Sequence, residues 1–529
     1  MYKKDIFMTQ NKTYIGIELG STRIKAVLID ESNRILASGI HDWENKFTKG
    51  YWTYGEKDII GGLQSCYKNL KENFYKNYGI ILTSPKSIGI SAMMHGYIVL
   101  DKNDKFLTPF RTWRNTSTKE AVEFLSPYLN FNIPQRWSIA HLYQAILNKE
   151  KHINQIEFIT TLAGYIHFIL TGEKVIGIGD ASGMFPIDPS IQNYDQEMMN
   201  KTNILFKKAK VPFTFQSIFP KVLVAGDQAG VLTKAGALIL DPHGDLKPGI
   251  FFAPPEGDAG TGMVATNAVE FNTGNVSAGT SIFGMVVLSK PLSRWYKEID
   301  VVTTPNGLLV AMIHCNNCST DINKWMDIFK EYNRLMGFKV QEFQLFKKIL
   351  TNTSKADLDG GSIFSCNYYS GEPITNFYEG RPMLVYHSNS KFNLPNLFKT
   401  FLYSSFATLT IGFELLKKEK IKISSIVAHG GIFKTKYIAQ TVLSAALNTK
   451  IIVNENASEG GPYGMALLTK YIFHNKTKLP TFLSNDVFKH SKLIETMATT
   501  NEILGFKKYM KLFKNGLLLE QKAIELFKL

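Results

Sequence analysis

One design occurs twice in this chain. Near the start, "YIGIELGSTRIKAVLI" sets β-rich runs at residues 14–17 and 24–29 on either side of the tight polar turn "ELGSTR". Past the middle, "GNVSAGTSIFGMVVL" repeats the order strand, turn, strand, with Gly279, Thr280 and Ser281 in the turn. Apolar runs of this length, separated by so short a glycine-bearing turn, read as antiparallel hairpins. The first continues into a third strand near Ile35. In each turn, backbone N–H groups and hydroxyls can surround a phosphate: Gly20, Ser21, Thr22 and the charge of Arg23 in the first, Gly279 to Ser281 in the second. A single turn of this kind carries little weight, because most hairpin tips hold nothing. Two of them, facing a shared cleft, would clamp the phosphates of one nucleotide.

The chain has 529 residues, more than one hydrophobic core usually serves, so two related domains with a cleft between them are expected. Its first residues show no apolar core with a small-residue cleavage site, and no apolar run approaches the ~20 residues of a membrane span. These features predict a cytoplasmic protein. Four scattered cysteines are too few for a disulfide framework at this size. "CNNC", residues 315–318, lacks a second cysteine pair or a histidine pair at ligand spacing and reads as structural. The net charge of +15 raises nucleic acid as a partner. The lysines are spread along the whole chain at near-helical spacing, as on solvated helix faces, so no nucleic-acid partner is expected.

Between the hairpins, "SIGISAMM" reads as a buried strand ending in Met94, His95 and Gly96, which places His95 at a sheet edge. Residues 112–192 carry helical pattern and many aromatic residues, and "GDASGMFPID" reads as a turn into extended structure. "EGDAGTGMVATN", residues 256–267, sets the charged Asp258 among residues too small to cover it. Taken alone, such an aspartate usually makes a turn or caps a helix. Further on, "IVAHGGIFKT" and "NASEGGPYGMALL" are glycine-rich turns opening helices, and in both the glycines, Gly430 and Gly431 in the first, would let a ring or ribose approach the backbone. Ordinary helix capping is the alternative for each. The last stretch is amphipathic and reads as a terminal helix docked on the body.

In this order, the elements resemble the FGGY family of carbohydrate kinases over nearly the whole chain. "IGIELGSTRIKAVLID" is similar to the family's first phosphate motif, "NVSAGTSIFG" to the second, "VAHGGIFKT" to the adenosine motif, and "YYSGEP" to its "YLSGER" segment. "MMHG" resembles the sugar-contacting "QMHG" of pentulose kinases. The resemblance implies an α/β fold of two actin-like, Hsp70-like (ribonuclease H-like) ATPase domains: residues 1–262 for sugar binding with the first phosphate motif, and 263–529 for the nucleotide. It makes Asp258 the catalytic base, in preference to Asp227 of "AGDQAGVLT", which resembles an upstream "GxxxGxLT" turn.

Met94, His95, Trp113 and Asp258 would contact the sugar. Gly20 to Arg23 and Gly279 to Ser281 would hold phosphates, and Gly430 and Gly431 would lie against the adenosine. The cofactors implied are ATP and Mg²⁺. Glu18 stands where the family usually has aspartate, and would organise the Mg²⁺. The family's "WND" is here "WRN", residues 113–115, so the expected sugar pocket gains a charge and loses a carboxylate. The partner implied is a small-molecule sugar, D-xylulose first, with L-ribulose, another ketose, a polyol or gluconate as alternatives. No membrane partner is implied, and a homodimer is left open. A non-kinase ATPase of the same fold would lack a base facing a pocket.

Overall fold

This computed structural model describes residues 10–454 and 460–528. Residues 1–9, part of the stretch in which no signal peptide is read, and residues 455–459, which include the start of the second glycine-rich segment, lie outside it. The chain forms two compact units: Met1–Val269 with Asp300–Val310 and Ala457–His490, and Glu270–Ile299 with Ala311–Asn456 and Ser491–Leu529. The chain passes between them several times, where the sequence reading draws one division after residue 262.

In the first unit, β1 (Tyr14–Leu19), β2 (Arg23–Ile29) and β3 (Ile35–Asp42) run antiparallel in succession. The strand β4 (Ser87–Ala92) lies parallel on the other side of β1, and the two-residue strands β5 (Phe251–Phe252) and β6 (Glu256–Gly257) both pair with β4. The sheet order is β5-β4-β1-β2-β3. Strand side chains alternate between faces. Ile15, Ile17 and Leu19 therefore point into a core shared with Ile59, Leu63, Cys66, Leu70 and Phe74 of the helix Glu56–Tyr78.

Gly16 and Glu18 point the other way, onto the helix Gly460–Tyr471. Gly16 and Gly89 are register partners in β1 and β4. Together they make a flat patch on which that helix sits so closely that a β-carbon on Gly16 would run into the Pro462 carbonyl, and one on Gly89 into the Met465 side chain. Ser87 Oγ donates to the Thr469 carbonyl at 3.1 Å, and Lys470 Nζ to the Glu31 carbonyl at 2.7 Å.

The second unit repeats this plan. The strand β7 (Thr273–Ala278) is antiparallel to β8 (Ile282–Val287) and parallel to β10 (Ser425–His429), as β1 is to β2 and β4. With β9 (Leu309–Cys315), β11 (Lys450–Asn454) and β12 (Leu493–Thr496) the order within this unit is β9-β8-β7-β10-β11-β12. The terminal helix Thr500–Leu526 starts at a capping box made by Thr499 and Glu502, and buries Phe506, Tyr509, Met510 and Phe513.

Two local expectations change. "GDASGMFPID" makes a turn of helix, Ile178–Ala181, before the short strand Ile187–Asp188. His95 follows an inner strand, because β5 and β6 pair with the side of β4 left free by β1. Among the described residues, no helix is long and apolar enough to cross a membrane.

Candidate functional site

Asp258 is the first residue of the helix Asp258–Ala265, directly after β6. Its Oδ1 accepts the Met94 amide at 3.3 Å, which joins the ends of β4 and β6. The side chain is half-buried, and crowding by protein atoms raises its carboxyl to about 6 against the pull of the Met94 and Ala259 amides. A carboxylate in that range is ionised near neutrality and still basic enough to take a proton.

Glu18 lies on the same face, opposite Lys25 in the β1–β2 pair. Burial, then the Asp258 charge, raise its carboxyl to about 8, with Lys25 opposing. Two carboxyls that raise one another's cost of ionisation make a place where a cation stabilises both. The glycine-rich start of the helix Gly460–Tyr471 completes this wall, since a β-carbon on Gly461 would overlap Glu18 Oε2. Gly461 and Gly464 are there for close packing against Glu18 and Thr261, where the sequence reading offered an approaching ring or ordinary helix capping.

His95 is buried, with φ of 70°, and its ring stacks on Trp137 at 6.3 Å. Its Nδ1 lies 3.2 Å from the Gly183 carbonyl, which can only accept, so Nδ1 carries the proton. Trp113 is partly exposed, and its Nε1 donates to Ser21 Oγ at 3.0 Å, which brings it to the Gly20–Arg23 turn. In that turn the Gly20 amide donates to the Arg23 carbonyl, Trp43 Nε1 to the Gly20 carbonyl and the Tyr54 hydroxyl to the Ser21 carbonyl. The carbonyls are thereby held from behind. Arg23 pairs at the surface with Asp42 at 2.9 Å, a contact weak enough to exchange for a better anion. The rest of "WRN" is structural: Arg114 lies 4.1 Å over the Trp52 ring, and Asn115 bonds the Trp52 backbone through both amide atoms.

In the second unit, Gly279 and Thr280 are exposed at the tip of the β7–β8 hairpin. The Ser319 hydroxyl donates to the Gly279 carbonyl at 2.6 Å. Gly430 follows β10 with φ of 122° and packs on the Ala278 carbonyl, so the two glycine turns adjoin, while Gly431 has open space where a side chain would be. "CNNC" is explained here. Glu372 of "YYSGEP" is fully buried and accepts from the Asn316 amide, the Asn317 amide and Asn317 Nδ2 at 3.0–3.3 Å. The two asparagines thus anchor that segment, and burial pushes both thiols up, away from the reactive thiolate.

Sequence reading gave no role to two residues beside Asp258. Glu256 is buried and accepts the Gly179 and Asp180 amides at 3.3 and 3.0 Å. Asp180 Oδ2 accepts the Thr161 hydroxyl at 2.6 Å, while Oδ1 is buried without a partner among the described residues. Burial raises the Asp180 carboxyl to about 7. The signal was present, since "GIGDASG" surrounds its aspartate with small residues as "EGDAGTG" does.

Among the described residues no group of three or more histidines, cysteines or carboxylates could hold a metal. Mg²⁺ needs no such cage, being held by one or two carboxylates together with phosphates and water, and Glu18 beside Asp258 fits that pattern.

Residues 13–240 match the N-terminal domain and residues 274–472 the C-terminal domain of the FGGY family of carbohydrate kinases, so the chain belongs to that family and is a sugar kinase. Its fold is the family's pair of actin-like, ribonuclease H-like domains. Among its relatives is the xylulose kinase of Haemophilus influenzae, 22% identical over 471 residues, which are 85% of this chain and 89% of the relative. Among solved structures, a ligand-bound xylulose kinase from Lactobacillus acidophilus superposes with TM-score 0.77 at 16% identity, covering 97% of this chain and 99% of the other. A gluconate kinase from the same organism reaches 0.77 at 17%, covering 97% and 98%. Both show the fold alone.

Proposed function

We propose that this sugar kinase transfers the γ-phosphoryl group of ATP to a hydroxyl of a pentulose, D-xylulose first, with Asp258 as general base. The observation that carries this reading is the Asp258 carboxyl, partly buried and raised to about 6, at the end of a sheet whose neighbouring strand leads to Met94 and His95. Asp258 accepts the hydroxyl proton as the sugar oxygen bonds to the γ-phosphorus and the bond from that phosphorus to the bridging oxygen of ADP breaks. The Met94 amide fixes the carboxylate for that transfer. Met94, His95 and Trp113 orient the sugar. Residues Gly20 to Arg23, and separately Gly279 to Ser281, hold phosphate oxygens through their hydroxyls and the amides not bonded within the turns, and Gly430 and Gly431 admit the adenosine. Glu18 would hold Mg²⁺, directly or through water, whose charge offsets that of the phosphates.

Support for a pentulose comes from "MMHG" and from the xylulose kinase among the relatives. The test is ADP release from Mg-ATP against a panel of ketoses, polyols and aldonates, with product mass confirmed, for wild type and Asp258→Asn. The asparagine keeps an oxygen for the Met94 amide and loses the basic one. Phosphorylation of D-xylulose that falls by about 10²- to 10⁴-fold in the variant is expected. Preferred turnover of an aldonate would overturn the substrate, and near-normal turnover of the variant would overturn the base.

A further inference from the structure

We propose that Glu256 is a positioning residue for phosphoryl transfer, which locks Asp258 and His95 into one framework through residues 177–183; this rests on the reading of Asp258 as the base. The contacts form a closed ring. From Glu256, two peptide bonds lead to Asp258, whose Oδ1 accepts the Met94 amide at 3.3 Å. One residue on, His95 Nδ1 donates to the Gly183 carbonyl at 3.2 Å. The chain then runs back through Asp180 and Gly179, whose amides donate to the Glu256 carboxylate at 3.0 and 3.3 Å and close the circuit. The Gly177 amide also donates to the Pro255 carbonyl at 2.8 Å, so the backbone ties the two segments at one end and the two bonds at Glu256 add a two-point link beside it.

The fit is made for a carboxylate at that position. Glu256 is 1% exposed and has no ion-pair partner among the described residues. A β-carbon on Gly177 or Gly179 would overlap its carboxylate oxygens, so both glycines are needed to admit it. Burial, then the Asp180 charge, raise the Glu256 carboxyl to about 8 against the pull of the Gly179 and Asp180 amides, so a buried carboxyl is an expensive way to staple two segments. What it provides beyond a staple is two parallel acceptors for two backbone donors, which fix a direction as well as a distance. The same segment is braced elsewhere: Ser182 Oγ donates to the Gly179 carbonyl at 2.6 Å, and the Thr161 hydroxyl holds Asp180. The segment is therefore a rigid part against which Glu256 can set the base. The ring also explains why His95 is buried with its Nδ1 engaged, since that arrangement turns the opposite nitrogen, Nε2, away from Gly183.

Glu256→Gln tests this, because the amide keeps one acceptor and sets its NH₂ against the second N–H donor. The expected result is a kcat lower by about 10- to 100-fold, as for a reacting group misplaced by a fraction of an ångström, with the KM for ATP unchanged and the folded fraction, read by thermal melt, intact at assay temperature. Gly179→Ala opens the same link from the other side and should give a similar loss. The double variant should be no slower than the slower single one. If Glu256→Gln does not fold, Gly179→Ala decides. A folded variant with wild-type kcat, or losses that multiply in the double variant, would overturn the proposal. Asp258→Asn is assayed alongside: if it stays active, the base reading fails, whereas an inactive Asp258→Asn beside a fully active Glu256→Gln rejects the positioning role alone.

Discussion

Gly430→Ala is expected to weaken ATP binding without touching the sugar side. Gly430 has φ of 122° and ψ of 170°, a conformation essentially restricted to glycine, and forcing another residue into such a region costs about 1–3 kcal/mol. The new β-carbon would also overlap the Ala278 carbonyl oxygen, well inside the 3.0 Å that real contacts respect, and that carbonyl belongs to β7, just before the Gly279–Ser281 turn. Neither strand can give way without breaking the β7–β10 ladder, so the turn must move. Taking about 2 kcal/mol as the cost of keeping the native turn, the native arrangement loses about 30-fold in population. The KM for ATP, measured at saturating sugar by a coupled ADP assay, should rise by at least about tenfold. The KM for sugar at saturating ATP should hold. Gly431→Ala is the control, because nothing lies within 4 Å of the added carbon and its φ is not positive, so the melting temperature should stay at the wild-type value. A Gly430→Ala enzyme with wild-type ATP KM and melting temperature would refute the argument.

Three other outcomes are expected. Glu18→Gln should raise the Mg²⁺ concentration for half-maximal rate by about tenfold or more at fixed ATP, and an unchanged Mg²⁺ titration would remove Glu18 from the metal. Asp227→Asn should keep most activity, because the Asp227 side chain accepts the Val224 amide at 3.0 Å and asparagine can do the same; an inactive enzyme would mean that the base was misassigned. Glu372, raised to about 7 by burial, favours the fold when protonated, so its contribution is full below the ordinary carboxylate range near 4.5 and is lost as pH rises through about 7. Relative to wild type, Glu372→Gln should therefore melt higher at pH 8 than at pH 5, and a pH-independent difference would contradict the assignment.

What could be read from the chain was local. The two hairpins were legible because a glycine and hydroxyls interrupt apolar runs over a few residues, and the parallel strand beside each completes the repeat. Asp258 stood out because its neighbours are small, and the structure places it next to Met94 and Glu18. The pairing of Glu256 with Gly179 and Asp180 was not legible, since it joins residues 76 or more apart and each partner looks ordinary in its own segment. Nor was the use of Gly461 visible: a glycine pattern shows that something must come close, without saying whether it is a ligand or, as here, the Glu18 carboxylate. "CNNC" drew the eye to its cysteines, while the working residues are the asparagines between them, bonded to a glutamate 55 or more positions away.

The helix Gly460–Tyr471 gives the order of synthesis a physical consequence. The Gly16–Gly89 patch on the first sheet is made within the opening sixth of the chain, yet the helix that covers it emerges only after some 460 residues have been joined. Until then one face of β1 and β4 has no partner, and neither the Glu18 wall nor the seat for Pro462 and Met465 exists. A ribosome carrying this chain thus holds an unfinished first unit for most of translation. At ~5–20 residues per second that is an exposure of roughly twenty seconds to a little over a minute, long enough for chaperones to matter. An isolated fragment of residues 1–262 would stay in that state permanently, with a sheet open on one side.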